Sequence, residues 1–197
     1  TPGRLIEDGH LVPAITYGPD SPLAASARAS TPIDHLQAIA PRLKTLAFCP
    51  TVADCNELVR EANARGRTAR VVHGQMSGED RAEAVSAFRD GRLDLVANVA
   101  CLTEGYDEPS IGCVLIARRT QSIPLHIQMV GRGLRPHGGK RHCVVIDLAD
   151  NTRRLGFVDD DRTWSLEGAT TSESGRSRGD TSQRVGSCPN CGVLRPG

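Results

Sequence analysis

Short apolar runs alternate along this chain with longer segments in which apolar positions recur every three or four residues. The runs Lys44–Cys49, Thr68–His73, Leu93–Val99, Cys113–Ala117 and His142–Leu148 are too short for helices and are bounded by polar or turn residues. That pattern predicts strands buried on both faces. The intervening segments carry helix signals. Thr31-Pro32-Ile33-Asp34 supplies an N-cap, a proline in the first turn and an acid at the third position. Thr51-Val52-Ala53-Asp54 repeats the cap logic, with Val52, Cys55, Leu58, Val59 and Ala62 as the buried stripe and Gly66 as the stop. Ser77 opens a third helix, with Ala82, Val85 and Phe88 as its predicted apolar face and Gly91 closing it. Ser122 caps a fourth, which runs into Gln128-Met129-Val130-Gly131-Arg132-Gly133-Leu134-Arg135. Strict alternation of helices with continuous apolar strands predicts an α/β domain: a mostly parallel sheet with helices on both faces, binding ligands at the carboxyl ends of its strands.

The flanks differ. Residues 1–30 read as a connection, with a short strand possible over Leu11–Tyr17 despite Pro13 and a Pro/Ser/Ala-rich stretch from Gly18 to Ser30. The folded domain is expected over residues 31–157. Beyond about Trp164 the apolar content collapses: Ala169 and Val185 are the aliphatic residues between Glu167 and Ser187. Residues 158–187 therefore read as a flexible polar linker, and 188–197 as a separate C-P-N-C-G knuckle.

Composition narrows the chemistry. Of 197 residues 39% are hydrophobic and 24% charged, so a sizeable core is available. Aromatic residues make up 3%, too few for base stacking as the main mode of nucleic-acid binding. The net charge of +1 leaves any polyanion contact to a local basic face. No apolar run approaches the roughly 20 residues of a membrane span, and Thr1-Pro2-Gly3-Arg4 has no signal-peptide pattern. The missing initiator methionine reads as a fragment of a longer chain. Seven cysteines without a secretion signal point to a reducing, cytoplasmic setting. Cys49, Cys55, Cys101, Cys113 and Cys143 read as small buried hydrophobes.

The candidate chemistry centres on Arg132 and Arg135. Arginines three apart on a helix project to one side, and their planar forks match phosphate oxygens in pairs. Such a pair suits a phosphate that gains charge during reaction. A solvated basic helix end is the plainer reading of an isolated R-x-x-R. Three further loops follow strands: one with Thr51, one with His73-Gly74-Gln75, and one with Thr103-Glu104-Gly105-Tyr106-Asp107.

In this order the T-x-G-x-D and Q-x-x-G-R-G-x-R elements resemble the C-terminal RecA-like domain of superfamily-two helicases, DEAD/DEAH-type and most like the restriction-motor-related group. The resemblance runs from about Lys44 to Leu148. It implies a three-layer α-β-α RecA-like fold. It also implies that Arg132 and Arg135 are arginine fingers for the terminal phosphate of ATP. Gln128, Gly105 and Asp107 would lie at the nucleotide, and Thr51, Gly74 and Thr103 would contact nucleic-acid phosphates. Backbone amides and hydroxyls grip phosphate without reading sequence, as a stepping motor requires. Thr51 would also cap its helix, which is compatible because helix N-termini bind anions. Taken alone, Gly105 and Asp107 read first as a turn before Pro109; the arginine motif in register favours the cleft reading.

The chain carries no G-x-x-x-x-G-K-[ST] phosphate loop. Gly138-Gly139-Lys140-Arg141 fails because Arg141 is neither Ser nor Thr and Leu134 stands where the first glycine belongs. The expected function is therefore the C-terminal half of an ATP-dependent DNA or RNA helicase or translocase. It would be unable to hydrolyse ATP alone, with ATP and Mg²⁺ held mainly by an N-terminal RecA-like partner domain. The alternative is a docking module that kept the fold without the motor. Cys188 and Cys191 resemble one knuckle of a four-cysteine zinc ribbon; two further ligands are not apparent, so Zn²⁺ is expected only in a longer protein.

Overall fold

The computed structural model describes residues 2–21, 31–99, 101–102, 107–160 and 185–196. In chain order the elements are α1 (Pro2–Glu7), β1 (Ala14–Tyr17), α2 (Pro32–Ile39), β2 (Thr45–Phe48), α3 (Val52–Ala64), β3 (Ala69–Val72) and α4 (Gly78–Arg89). There follow β4 (Leu95–Asn98), β5 (Cys113–Ile116), α5 (Ile123–Gly131), β6 (Cys143–Asp147), α6 (Asn151–Leu155), β7 (Gly186–Ser187) and β8 (Leu194–Arg195). The first six strands form one sheet in the order β1-β6-β5-β2-β4-β3, with every pairing parallel.

The pleat sends alternate strand residues to opposite faces. On one face Leu46, Phe48, Val96, Val114, Ile116 and Val145 pack with Ala84, Ala87 and Phe88 of α4 and Met129 and Val130 of α5. On the other, Ala47, Leu95, Ala97, Leu115 and Ile146 pack with Ile33 and Leu36 of α2 and Cys55, Leu58 and Ala62 of α3. These are the three layers that the RecA-like resemblance implies. Every residue of β2, β4, β5 and β6 is buried, including the polar Thr45, Asn98 and Asp147 at their ends, each of which has a hydrogen-bond partner.

The caps form at the expected residues. The Thr51 hydroxyl accepts the Asp54 amide at 3.1 Å while the Asp54 carboxylate accepts the Thr51 amide at 3.1 Å, a reciprocal box that satisfies two otherwise orphaned donors. Ser77 and Ser122 cap α4 and α5 with one bond each, their hydroxyls accepting the amides of Asp80 and Leu125. The face of α4 differs from the expectation. Ala82 is exposed and Val85 half-buried, whereas Ala84, Ala87 and Phe88 are buried. A three-residue repeat drifts around a helix of 3.6 residues per turn, and the 84-87-88 set follows the helical period more closely. Cys49, Cys55, Cys113 and Cys143 are buried as expected, while Cys101 is half-buried.

Both flanks join the body. The segment read as a connection contributes β1, whose Ala14–Tyr17 pairs with Cys143–Ile146 of β6. Pro13 lies just ahead of the strand, where its missing N–H costs no ladder bond. The β7–β8 hairpin approaches the free edge of β1 through an antiparallel bridge between Tyr17 and Val193, with Leu194 buried beneath it. An exposed strand edge is a template for unwanted pairing, and the hairpin covers part of it. Of the segment read as linker, residues 161–184 lie outside the described residues.

One structural device has no apolar signature. Arg67 is buried and its guanidinium donates to the carbonyls of Ala40, Pro41, Leu43 and Asp94 and to the Thr45 hydroxyl, at 2.7–3.4 Å. It ties the α2–β2 turn to the starts of β2 and β4.

Candidate nucleotide-facing turn and phosphate-facing loops

The two arginines do not share a helical face, contrary to the spacing argument. Helix α5 ends at Gly131, and Arg132 is its C-cap with φ −61° and ψ −29°. The Gly133 and Leu134 amides then donate to the carbonyls of Val130 and Gly131, at 2.9 and 3.2 Å. These i to i−3 bonds tighten the chain into a turn that carries Arg135 off the helix axis. Gln128 is exposed one turn before Arg132, so those two do share a side.

Gly133 explains how this turn is seated. A Cβ built there would overlap Cys143 Sγ and stand 2.7 Å from Val114 Cγ2. Only glycine lets the backbone lie flush on β5 and β6 at this point. Leu134, 1% exposed, plugs the core beneath the turn, and its carbonyl accepts the Val12 amide at 2.7 Å.

Arg135 forms an ion pair with Asp107, Nη1 to Oδ1. Both side chains are substantially exposed, so the pair adds little stability. Its significance is positional, because two residues singled out separately in the sequence meet in space. Thr103 and Gly105 lie outside the described residues.

The expected site residues divide between two ends of the sheet. Thr51 and Gly74 follow β2 and β3 at the carboxyl ends of the strands. Gly74 is exposed, no described residue beyond its chain neighbours lies within 4 Å of where a Cβ would be, and its carbonyl accepts Arg81 Nη2 at 3.0 Å. Arg132, Arg135 and Asp107 lie instead towards the amino ends of β5 and β6, because α5 runs antiparallel to the strand it follows. The carboxyl ends of the strands thus carry Thr51 and Gly74 but not the arginine turn.

The Cys188–Cys191 knuckle is a formed turn. The Cys188 amide donates to Val193 O at 2.9 Å, the Gly192 amide donates to Cys188 O at 2.7 Å, and Gly192 takes the left-handed φ of 71°. The amides of Cys191 and Asn190 hold the Cys188 thiol below its ordinary range. The sequence expectation for this pair is half of a four-ligand zinc site. Among the described residues, however, no group of three or more His, Cys, Asp or Glu side chains could hold a metal. Nor, among them, is any helix long and apolar enough to cross a membrane.

The sequence reading missed the polar bracket around Asp107. Its neighbour Glu108 is buried, accepts the Ser110 hydroxyl at 2.5 Å, and faces Lys44 Nζ at 3.6 Å. Lys140, noticed only as part of a failed phosphate loop, is half-buried between the Asp107 loop and the arginine turn. A lysine between glycines and polar residues carries no pattern that marks it as internal.

Comparison with known proteins agrees with this architecture. A relative from Schizosaccharomyces pombe, named for a mitochondrial ATP-dependent helicase, is 38% identical over 116 residues, covering 59% of this chain and 19% of the relative. The chain thus matches about a fifth of that protein's length. Among solved structures, a fragment named for the HsdR subunit of a type I restriction enzyme from Vibrio vulnificus YJ016 superposes with a TM-score of 0.63. It is 22% identical and covers 79% of this chain and 36% of that one. Dbp5 of S. cerevisiae, solved bound to RNA and ADP BeF3, gives a TM-score of 0.56 at 19% identity, covering 77% of this chain and 41% of that one. These two likenesses concern the fold. Residues 30–137 match the helicase conserved C-terminal domain, and the chain belongs to that family.

Proposed function

We propose that this chain is the C-terminal half of an ATP-dependent DNA or RNA helicase or translocase motor, and that Arg132 and Arg135 act on the terminal phosphate of ATP. The observation that carries this reading is the meeting of Arg135 with Asp107 on a turn seated by Gly133. An exposed guanidinium beside a carboxylate is a phosphate site at rest: the group that now pairs with a carboxylate oxygen of Asp107 suits phosphate oxygens equally well. ATP and Mg²⁺ would be held mainly by an N-terminal RecA-like domain, since this sequence has no glycine-rich phosphate loop. When bound, they supply the reacting phosphoryl group and the cation that neutralises it. This chain would contribute positive charge from Arg132 and Arg135, with Gln128, Asp107 and Gly105 lining the same cleft. Thr51, Gly74 and Thr103 would hold the nucleic-acid backbone through hydroxyl and amide donors, a sequence-independent grip in which the Thr51 donors exchange the Asp54 carboxylate for phosphate. The separation of Thr51 and Gly74 from Arg132, Arg135 and Asp107 to different ends of the sheet supports this division of labour, because one body can then couple a nucleotide cleft to a nucleic-acid track.

The test is to join the chain to its N-terminal RecA-like domain and measure ATP hydrolysis with and without single-stranded DNA or RNA. The joined motor should hydrolyse ATP and be stimulated by nucleic acid, and the chain alone should do neither. Hydrolysis by the isolated chain, or a joined motor indifferent to nucleic acid, would overturn the reading.

A further inference from the structure

Lys140 joins two loops that the motor reading uses separately. Its Nζ donates to four carbonyls: Ile111 at 2.5 Å, Gly133 at 2.6 Å, and Pro109 and Arg135 at 3.1 Å each. Two of these belong to the loop after Asp107 and two to the arginine turn. An ammonium has three protons, so four acceptors saturate it, with one proton shared. Burial lowers its pKa, and the charge of Glu108 opposes that shift.

The local backbone is built to deliver it. Gly139 adopts the left-handed φ of 75°, and the Lys140 amide closes the turn on His137 O at 2.8 Å. The chain thereby doubles back under Arg135. On the far side of the 108–111 loop, Lys44 Nζ donates to the Ser110 hydroxyl at 2.6 Å and to Arg89 O at 3.2 Å. The loop is thus held between two lysines, and only Lys140 also reaches the arginine turn.

We infer that Lys140 is a positioning residue for the arginine turn: its ammonium fixes the backbone of Gly133 and Arg135 against the Asp107 loop, and so sets where the Arg135 guanidinium stands. The inference rests on the motor reading for its functional half. A hydrocarbon of similar length cannot replace the clamp, because it leaves four carbonyls facing an apolar chain. Arginine cannot either, because a planar fork does not converge on acceptors arranged around a point. A displacement of about 1 Å at a reacting group costs on the order of 10²-fold in rate.

The test compares Lys140→Met, Lys140→Arg, Arg135→Ala and the Lys140→Met/Arg135→Ala double variant in the joined motor. Amide hydrogen exchange is measured in parallel on this chain. Lys140→Met should lower kcat by about 10²-fold with KM for ATP within about threefold, and Lys140→Arg should not restore it. The double variant should match Arg135→Ala, since Lys140 acts through Arg135. Exchange at Gly133, Leu134 and Ile111 should quicken at least about tenfold while that of α3 stays unchanged. A variant too unstable to fold would show fast exchange in α3 as well, which contradicts a local clamp. Parental turnover for Lys140→Met in a motor that Arg135→Ala disables overturns this inference alone. Parental turnover for Arg135→Ala overturns the motor reading beneath it.

Discussion

Replacing Gly133 by alanine tests how the arginine turn is seated. The added Cβ overlaps Cys143 Sγ and stands 2.7 Å from Val114 Cγ2. Ordinary carbon contacts lie near 3.5–4.0 Å, so backbone or neighbours must move by about an ångström. Val114 is β-branched, fully buried and held in the middle of the sheet, and has little freedom to turn away. Cys143 is also fully buried, at the first position of β6. Overpacking of this kind costs about 1–3 kcal/mol, or roughly 2–4 °C in midpoint for each kcal/mol in a chain of this size. Thermal and urea unfolding of Gly133→Ala should show a loss near 2 kcal/mol. Adding Cys143→Ala removes the overlapping sulfur but not the Val114 contact, so the double variant should be more stable than the sum of the two single losses predicts. A Gly133→Ala protein within about 0.5 kcal/mol of the parent, or strictly additive losses, would refute the close-approach argument.

Arg67→Met removes donors to four carbonyls and a hydroxyl, and urea unfolding should show a loss of about 3 kcal/mol or more, as expected when buried acceptors lose their partner. His35 is buried, its Nδ1 has no hydrogen-bond partner among the described residues, and burial lowers its pKa below 6.5 despite the opposing charge of Asp34. Between that lowered value and 6.5 the unfolded chain binds more protons than the native one. Stability should therefore fall as pH drops from about 7 towards 5, and His35→Leu should flatten the acid limb of the urea midpoint against pH. Cys188, whose thiol is held low by backbone amides, should be alkylated by iodoacetamide well before Cys143, pushed up to about 12 by burial, or Cys113, raised by the same cause. Mass spectrometry of a time course at neutral pH reads the order directly.

The sheet was legible because its strands are buried on both faces and leave unbroken apolar runs, and the helix starts were legible because caps use few residue types. Strand β1 was less so: four residues after a proline carry a weak signal, and its place at the sheet edge depends on pairing with β6, far along the chain. The face of α4 was misread because three apolar residues at a strict spacing of three looked like a stripe, while small alanines made the contact. For the candidate site, the sequence names residues but not their geometry. R-x-x-R suggested one helical face, but Gly131 and Gly133 let the helix run out into a turn between the two arginines. Lys140 stayed hidden because its partners are carbonyls, which every residue has.

The most direct test of the account measures single-turnover ATP hydrolysis by the joined motor at saturating nucleic acid, with Arg132 and Arg135 each replaced by alanine. The account predicts that each variant still binds ATP and loses roughly 10³-fold or more in turnover, the scale of an arginine finger. Turnover near the parental rate in both variants would contradict it.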